Sequence, residues 1–203
     1  MKKITILLLA FAIVSGNAKA QKKWRIGFTL SPVLSKSVLT DNYLAIHPEA
    51  STKMGLGVSS GVDFYRLYGE HLMFTTGIYY NLKNFQLYQP LSNGEYFDIQ
   101  NKSSLLTIPL GLRYNFKIKQ QSFFVNTGGE ISWLFKSKAK MDGETLPIYY
   151  GGFETVYELF FGLGYMYKFK DKYTFFVNPE YSPKIFTDDY HTFRLNFGVI
   201  LNY

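Results

Sequence analysis

The sequence predicts an all-β fold: an eight-stranded antiparallel up-and-down transmembrane β-barrel with short turns at one end and long loops at the other. Three observations predict it. Apolar and polar residues alternate with period two in eight separate runs. The apolar stripes hold no charge and gather aromatics at their ends. The connections between runs alternate between long and short. A composition of 203 residues with 19% aromatic, 18% charged and no cysteine allows one domain with a sizeable core, and it excludes a disulfide scaffold, thiolate metal sites and a cysteine nucleophile. The mean hydropathy of −0.06 would suit an ordinary soluble protein, but that average merges two faces of opposite character.

The chain opens on Met1-Lys2-Lys3, an apolar stretch from Ile4 to Val14, and Ala18-Lys19-Ala20. This is the tripartite pattern of a cleaved secretory signal peptide over residues 1–20, leaving a barrel domain over 21–203. Eleven apolar residues are too few to span a bilayer as a helix, which needs about 20. Cleavage would remove Lys2, Lys3 and Lys19 and lower the net charge from +7 to +4. The basic balance is then partly an export signal, and no nucleic-acid partner is expected. No cysteine follows the apolar stretch, so a lipoprotein anchor is not expected.

The first strand begins at Trp24, where Ile26, Phe28 and Leu30 alternate with Arg25, Gly27 and Thr29. The second carries Met54, Leu56, Val58, Val62 and Phe64, and the third runs from Leu72 to Leu82 through Phe74, Ile78 and Tyr80. The fourth shows Leu106, Ile108, Leu110, Leu112, Tyr114 and Phe116, and the fifth Phe123, Val125, Ile131, Trp133 and Phe135. The sixth runs from Tyr157 to Phe169 and the seventh from Tyr173 to Tyr181. The eighth runs from Phe193 to Tyr203. Pro179 falls on an apolar stripe and, having no N–H, predicts a bulge or a strand end there.

Across the eight runs the apolar face has 47 positions without a charge, whereas the opposite face has 44 with eight charges and ten glycines. One-sided strands fit a soluble sandwich or a lipocalin-like periplasmic carrier as well as a membrane barrel. Large aromatics on the apolar face fill the taper of a soluble barrel poorly. At stripe ends (Trp24, Tyr80, Phe116, Trp133, Phe135, Phe169, Tyr173, Tyr181, Tyr203) they match the girdles of a membrane interface. Loops of 32–52, 83–104 and 136–156 alternate with short turns, as in outer-membrane barrels.

On this reading the polar face lines the lumen. Its charges are Arg25, Arg113, Lys168 and Arg194 against Asp63, Glu130, Glu158 and Glu180. Eight strands enclose a space just wide enough for side chains to fill. Opposite charges there offset desolvation only when paired, so a salt-bridged plug is expected ahead of a gated pore. The face's glycines leave room for Tyr65, Tyr79, Phe124, Phe160 and Phe176. At the outer end, Tyr43, Leu44, Tyr88, Tyr96, Phe97, Tyr149 and Tyr150 are candidate contacts for a protein partner, or pack on one another as barrel extensions.

Other patterns carry less. Gly57-Val58-Ser59-Ser60-Gly61 satisfies G-x-S-x-G inside one strand, where no nucleophile elbow can form. Asn101-Lys102-Ser103 reads as a chance glycosylation acceptor. Lys117, Lys119, Lys168, Lys170 and Lys172 suggest a solvated rim against anionic headgroups. Of three histidines, His71 sits at a short turn and His47 in mid-loop. His191, near Asp188 and Asp189, is the one candidate base, with Ser182 or Ser132 as nucleophile. A lipid hydrolase on the barrel is thus an alternative to a non-enzymatic protein. No spacing suggests a metal, and no cofactor is expected.

Two segments carry a family resemblance. Leu105-Leu106-Thr107-Ile108-Pro109-Leu110-Gly111-Leu112-Arg113-Tyr114-Asn115-Phe116 is close to the recurrent strand of the PorT-like outer-membrane β-barrel family, small exported bacterial barrels of OmpA/OmpX-type architecture. The closing run resembles the terminal signal read by the barrel assembly machinery, with Phe197, Val199, Leu201 and Tyr203 as its apolar stripe. The resemblance implies a Gram-negative outer-membrane location, lipid around the barrel and the assembly machinery as a partner in biogenesis. It implies no reaction.

Overall fold

A computed structural model describes residues 24–37, 39, 45, 48–90, 96–141, 144–148, 154–183 and 190–202. The segment 1–20, Tyr43, Leu44, His47, Tyr149, Tyr150 and Tyr203 lie outside the described residues. Tyr96 and Phe97 are described in their backbone alone. Nine strands are present: β1 (Trp24–Ser37), β2 (Ser51–Tyr68), β3 (Leu72–Pro90), β4 (Tyr96–Ile118), β5 (Gln121–Met141), β6 (Glu144–Ile148), β7 (Glu154–Phe169), β8 (Tyr173–Pro183) and β9 (Tyr190–Leu201). The strands pair antiparallel, β4 with β5 and β9 with β1, so eight strands close on themselves. β6 is a short addition that pairs with β5 over Ser137–Met141, beyond the point where the β5–β7 ladder ends at Leu134 and Glu154.

The barrel is inside out relative to a soluble protein. Phe28, Leu56, Leu112, Phe161 and Phe197 are exposed on its outer wall, while Asp63, Glu130, Glu158 and Arg194 are buried within. The described stripes face outward as their alternation requires, except at Met54, which a register shift between Met54 and Val58 pairs with the inward Phe85. This removes the lipocalin-like carrier, whose apolar faces would have to point inward. No described helix is long and apolar enough to cross a membrane.

Three short connections, at residues 69–71, 119–120 and 170–172, lie at one end together with the start of β1 and the end of β9. Gly69, Lys119, Lys170 and Asp171 adopt positive φ there, the left-handed conformation that reverses the chain tightly. The opposite end departs from expectation. Most of the segments 83–104 and 136–156 that read as loops are strand: β3 and β4 pair continuously from Leu82 with Ser104 up to Pro90 with Tyr96, and β5 continues to Met141. Above the apolar band both faces are wetted, so the apolar–polar contrast that reveals a strand disappears while its hydrogen bonds continue.

Pro179 produces neither a bulge nor an end. The β7–β8 ladder skips it and Asn178, then resumes in the same register, and β8 pairs with β9 straight through it. The same skip occurs at Pro32 in the β1–β9 ladder and at Pro109 in the β3–β4 ladder. Each proline withdraws an N–H from one side of its strand, and the closed barrel holds the register across the gap.

Candidate functional site in the barrel lumen

The inward glycines and aromatics interlock. Phe124 is opposite Gly164, Phe176 opposite Gly198, Phe160 opposite Gly128 and Tyr79 opposite Gly61. A Cβ at any of these glycines would lie within 3.0 Å of the facing ring. Each ring therefore lies flat over a neighbour that has no side chain. Tyr65, Met73, Phe124, Phe176 and Ile200 form a buried apolar floor near the short-turn end.

Arg113 rests on this floor. Its guanidinium carbon stands 3.9 Å from the ring centre of Phe124, 4.9 Å from Phe176 and 5.0 Å from Tyr65. Three π faces around one desolvated cation replace part of the lost hydration. Beside it Asp63 accepts hydrogen bonds from Thr29 at 2.5 Å and from Tyr79.

The next layer is ionic. Arg194 Nη2 donates to Glu130 and, at 2.9 Å, to Ser182 Oγ, with its Nε 3.6 Å from Glu180. Asn126 donates to the other Glu180 oxygen at 2.9 Å. Glu158, directly across the β5–β7 ladder from Glu130, is held by Lys83, whose Nζ is 2.8 Å from both carboxylate oxygens and 3.2 Å from Thr192. Asn81, Thr107 and Ser132 form a neutral chain alongside, at 2.6 and 2.7 Å. A cavity of about 50 Å³ lies here, lined among others by Arg113, Asn126, Glu130, Asn178 and Arg194. Polar atoms of all five have no hydrogen-bond partner among the described residues. At about 10–15 Å³ per water, this cavity admits a few solvent molecules and no organic substrate.

Six of the eight charges read from the sequence thus meet in the lumen: Asp63, Arg113, Glu130, Glu158, Glu180 and Arg194. Arg25 and Lys168 do not join them. They line a separate cavity of about 290 Å³ at the short-turn mouth with His71, Met73, Met166 and Ile200, where their charge reaches water. Sequence reasoning missed Lys83, because position 83 fell in a predicted loop. Its signal was the parity it shares with Tyr79 and Asn81, which continues the inward face.

The candidate hydrolase residues that are described do not assemble, and Asp188 and Asp189 lie outside the described residues. His191 is exposed on the outer wall, stacked on Tyr181 with its Nδ1 2.6 Å from the phenol oxygen. Ser182 and Ser132 are buried inside, bonded to Arg194 and to Thr107. The sheet stands between base and nucleophile. His71 is at the far end, its Nδ1 3.0 Å from the Asn115 carbonyl. Of the outer-end aromatics whose side chains are described, Tyr88 lies on the outward face beneath the Lys53 ammonium, 4.3 Å from its ring centre. Phe197, Val199 and Leu201 are outward on β9, paired with β8 and β1 at the barrel's seam.

The family model described as "Outer membrane protein beta-barrel domain" matches residues 17–183. No curated protein sequence matches the chain. Among solved structures, Neisserial surface protein A is 14% identical with a TM-score of 0.56, the match covering 90% of this chain and 99% of that one. The outer membrane protein OprG from Pseudomonas aeruginosa is 13% identical with a TM-score of 0.50, covering 89% of this chain and 95% of that one. At these identities the likeness is one of fold.

Proposed function

The chain belongs to the outer membrane protein beta-barrel domain family, and on that premise we propose that it is a non-catalytic barrel whose closed lumen is structural and whose outer end serves the envelope or a protein partner. One observation carries this reading. The described lumen is filled by buried ion pairs and rings, and the candidate base lies on the other side of the wall from the candidate nucleophiles. The protein resides in the bacterial outer membrane, surrounded by lipid.

Within the family we place it with the PorT-like barrels, on the strand from Leu105 to Phe116. We further propose that residues 1–20 are removed on export and that 21–203 form the mature domain. Phe197, Val199, Leu201 and Tyr203 are proposed as the stripe that the barrel assembly machinery reads. The long-strand end then faces outward, with Tyr43, Tyr88, Tyr96, Phe97, Tyr149 and Tyr150 as its candidate contacts.

The test is a heat-modifiability gel on the detergent-solubilised outer-membrane fraction. Faster migration of the unboiled sample is expected. A soluble periplasmic protein with no shift would overturn the assignment. A deletion strain is expected to keep its envelope lipid profile. A changed profile restored by wild type but not by His191→Ala would instead establish the hydrolase.

A further inference from the structure

A β-bulge marks the outer boundary of the apolar band on β5. Leu105 pairs with Leu134 and Ser104 with Lys136, so Phe135 is the extra residue. Below it the outer wall carries Leu106, Leu110 and Leu112, and at it Phe135 packs against Tyr80, ring centres 5.8 Å apart. The bulge keeps Phe135 and Lys136 on the same, outward side. Above it the outward positions of β5 are Lys136, Lys138 and Lys140, all exposed. They recur about every 7 Å along the strand.

The neighbouring strands add to this ledge. Lys102 on β4 is the direct cross-strand partner of Lys138, and it too is exposed. Lys53 on β2 lies in the same outward row as Lys140, through Gln86 and Gln100. Asp98 is the one acid among the described side chains on this part of the outward face. Inward positions of the same ribbon hold Ser103, Ser137 and Ala139. Apart from Lys83, buried inward on β3, the lysines of this ribbon stand on the outside, immediately above Phe135 and Tyr80.

Like charges placed directly opposite in a ladder are destabilising. An anion between Lys102 and Lys138 turns that cost into attraction. What lies beside an outward wall, directly above its hydrocarbon band, is the headgroup layer of the surrounding leaflet. We propose that Lys102, Lys136, Lys138 and Lys140, flanked by Lys53, form a binding ledge for the phosphate groups of outer-leaflet glycolipid. The ledge seats the acyl chains on the aromatic and aliphatic wall below, and lysine suits it because each ammonium acts as a mobile point charge. The inference rests on the orientation proposed above, with the long-strand end outward.

The experiment titrates the purified full-length protein, in zwitterionic-detergent micelles at fixed ionic strength, with bisphosphorylated lipid A and with lipid A stripped of both phosphates. Wild type is expected to bind the phosphorylated form far more tightly. The variant Lys102→Gln/Lys136→Gln/Lys138→Gln/Lys140→Gln is expected to lose about a hundredfold to a thousandfold in affinity, roughly three- to fivefold per lysine. The control Lys117→Gln/Lys119→Gln/Lys172→Gln, at the opposite end, is expected to bind as wild type. Both variants must keep the heat-modifiable gel shift, so lost binding is not lost folding. Equal binding by wild type and the ledge variant, or equal binding of the two lipids, would overturn the proposal. Displacement of lipid A by inorganic polyphosphate at equal phosphate concentration would overturn it too, assigning the ledge to a soluble polyanion. Orientation is read separately: the chain has no cysteine, so Lys138→Cys labelled by a membrane-impermeant maleimide on intact cells establishes an outward ledge whatever the lipid result. Absence of labelling would sink the orientation itself.

Discussion

At the scale of single residues, the lumen shows what buried charge requires. Lys83 and Glu158 are each almost fully enclosed, and their bond is bidentate. Removing one partner leaves a desolvated charge, a loss of about 3–5 kcal/mol, whereas replacing both with apolar groups of similar volume is close to neutral. Lys83→Met is therefore expected to lower the urea midpoint of the folded barrel strongly, and Lys83→Met/Glu158→Met to recover most of the loss. If the double variant were as unstable as the single, the pair would be holding more than its own charge. Asp63, Glu130, Glu158 and Glu180 were legible because each interrupts a long inward run whose outward partners are apolar. Lys83 was not, since beyond Leu82 the outward residues become Asn84 and Gln86 and the contrast between faces is gone. Arg25 and Lys168 have the right parity but sit at strand ends, and parity alone cannot tell a buried inward charge from one at a mouth.

At the scale of elements, the strands outrun the membrane. Hydrogen bonding continues from Lys83 with Ser103 to Pro90 with Tyr96, and from Ser103 with Ser137 to Ile99 with Met141. Alternation detects a strand only where its two sides meet different solvents, so the sequence reveals the lipid-embedded part and reads the rest as loop. Amide hydrogen exchange separates these cases. The amides of Gln86, Asn101, Lys102 and Ser137 are expected to exchange slowly, close to those of Leu110 and Phe161, and far more slowly than peptide amides. Exchange at the rate of free peptide over 84–88 and 136–140 would return these segments to loops. The three mid-strand prolines tell the same story from the other side. Of Pro32, Pro109 and Pro179, the sequence marked only Pro179 as a missing donor and read a bulge or a strand end there, whereas each ladder resumes in the same register beyond its proline. Thr76 donates its hydroxyl to the Pro109 carbonyl at 2.9 Å beside one such gap.

At the scale of the whole molecule, two separate barriers close the lumen among the described residues. The floor of Tyr65, Met73, Phe124, Phe176 and Ile200 divides the 290 Å³ mouth from the 50 Å³ central cavity. Further out, the Lys83–Glu158–Thr192 cluster and the Asn81–Thr107–Ser132 chain span the lumen from β3, β4, β5, β7 and β9. An eight-stranded barrel has little width to spare, so each layer is sufficient alone. Wild type reconstituted in a planar bilayer is expected to show no stable conductance. Phe124→Ala/Phe176→Ala widens the mouth but leaves the outer layer shut, and it should remain silent as well. Lys83→Ala/Glu158→Ala opens only that outer layer above an intact floor, with the same result. The four substitutions together join the mouth to the outside along a path lined by Asn126, Glu130, Asn178 and Arg194, and this combination is expected to conduct ions in discrete steps. Conductance from either double variant would mean that one layer carries the seal, and steady conductance from wild type would mean that the packed lumen opens as a unit.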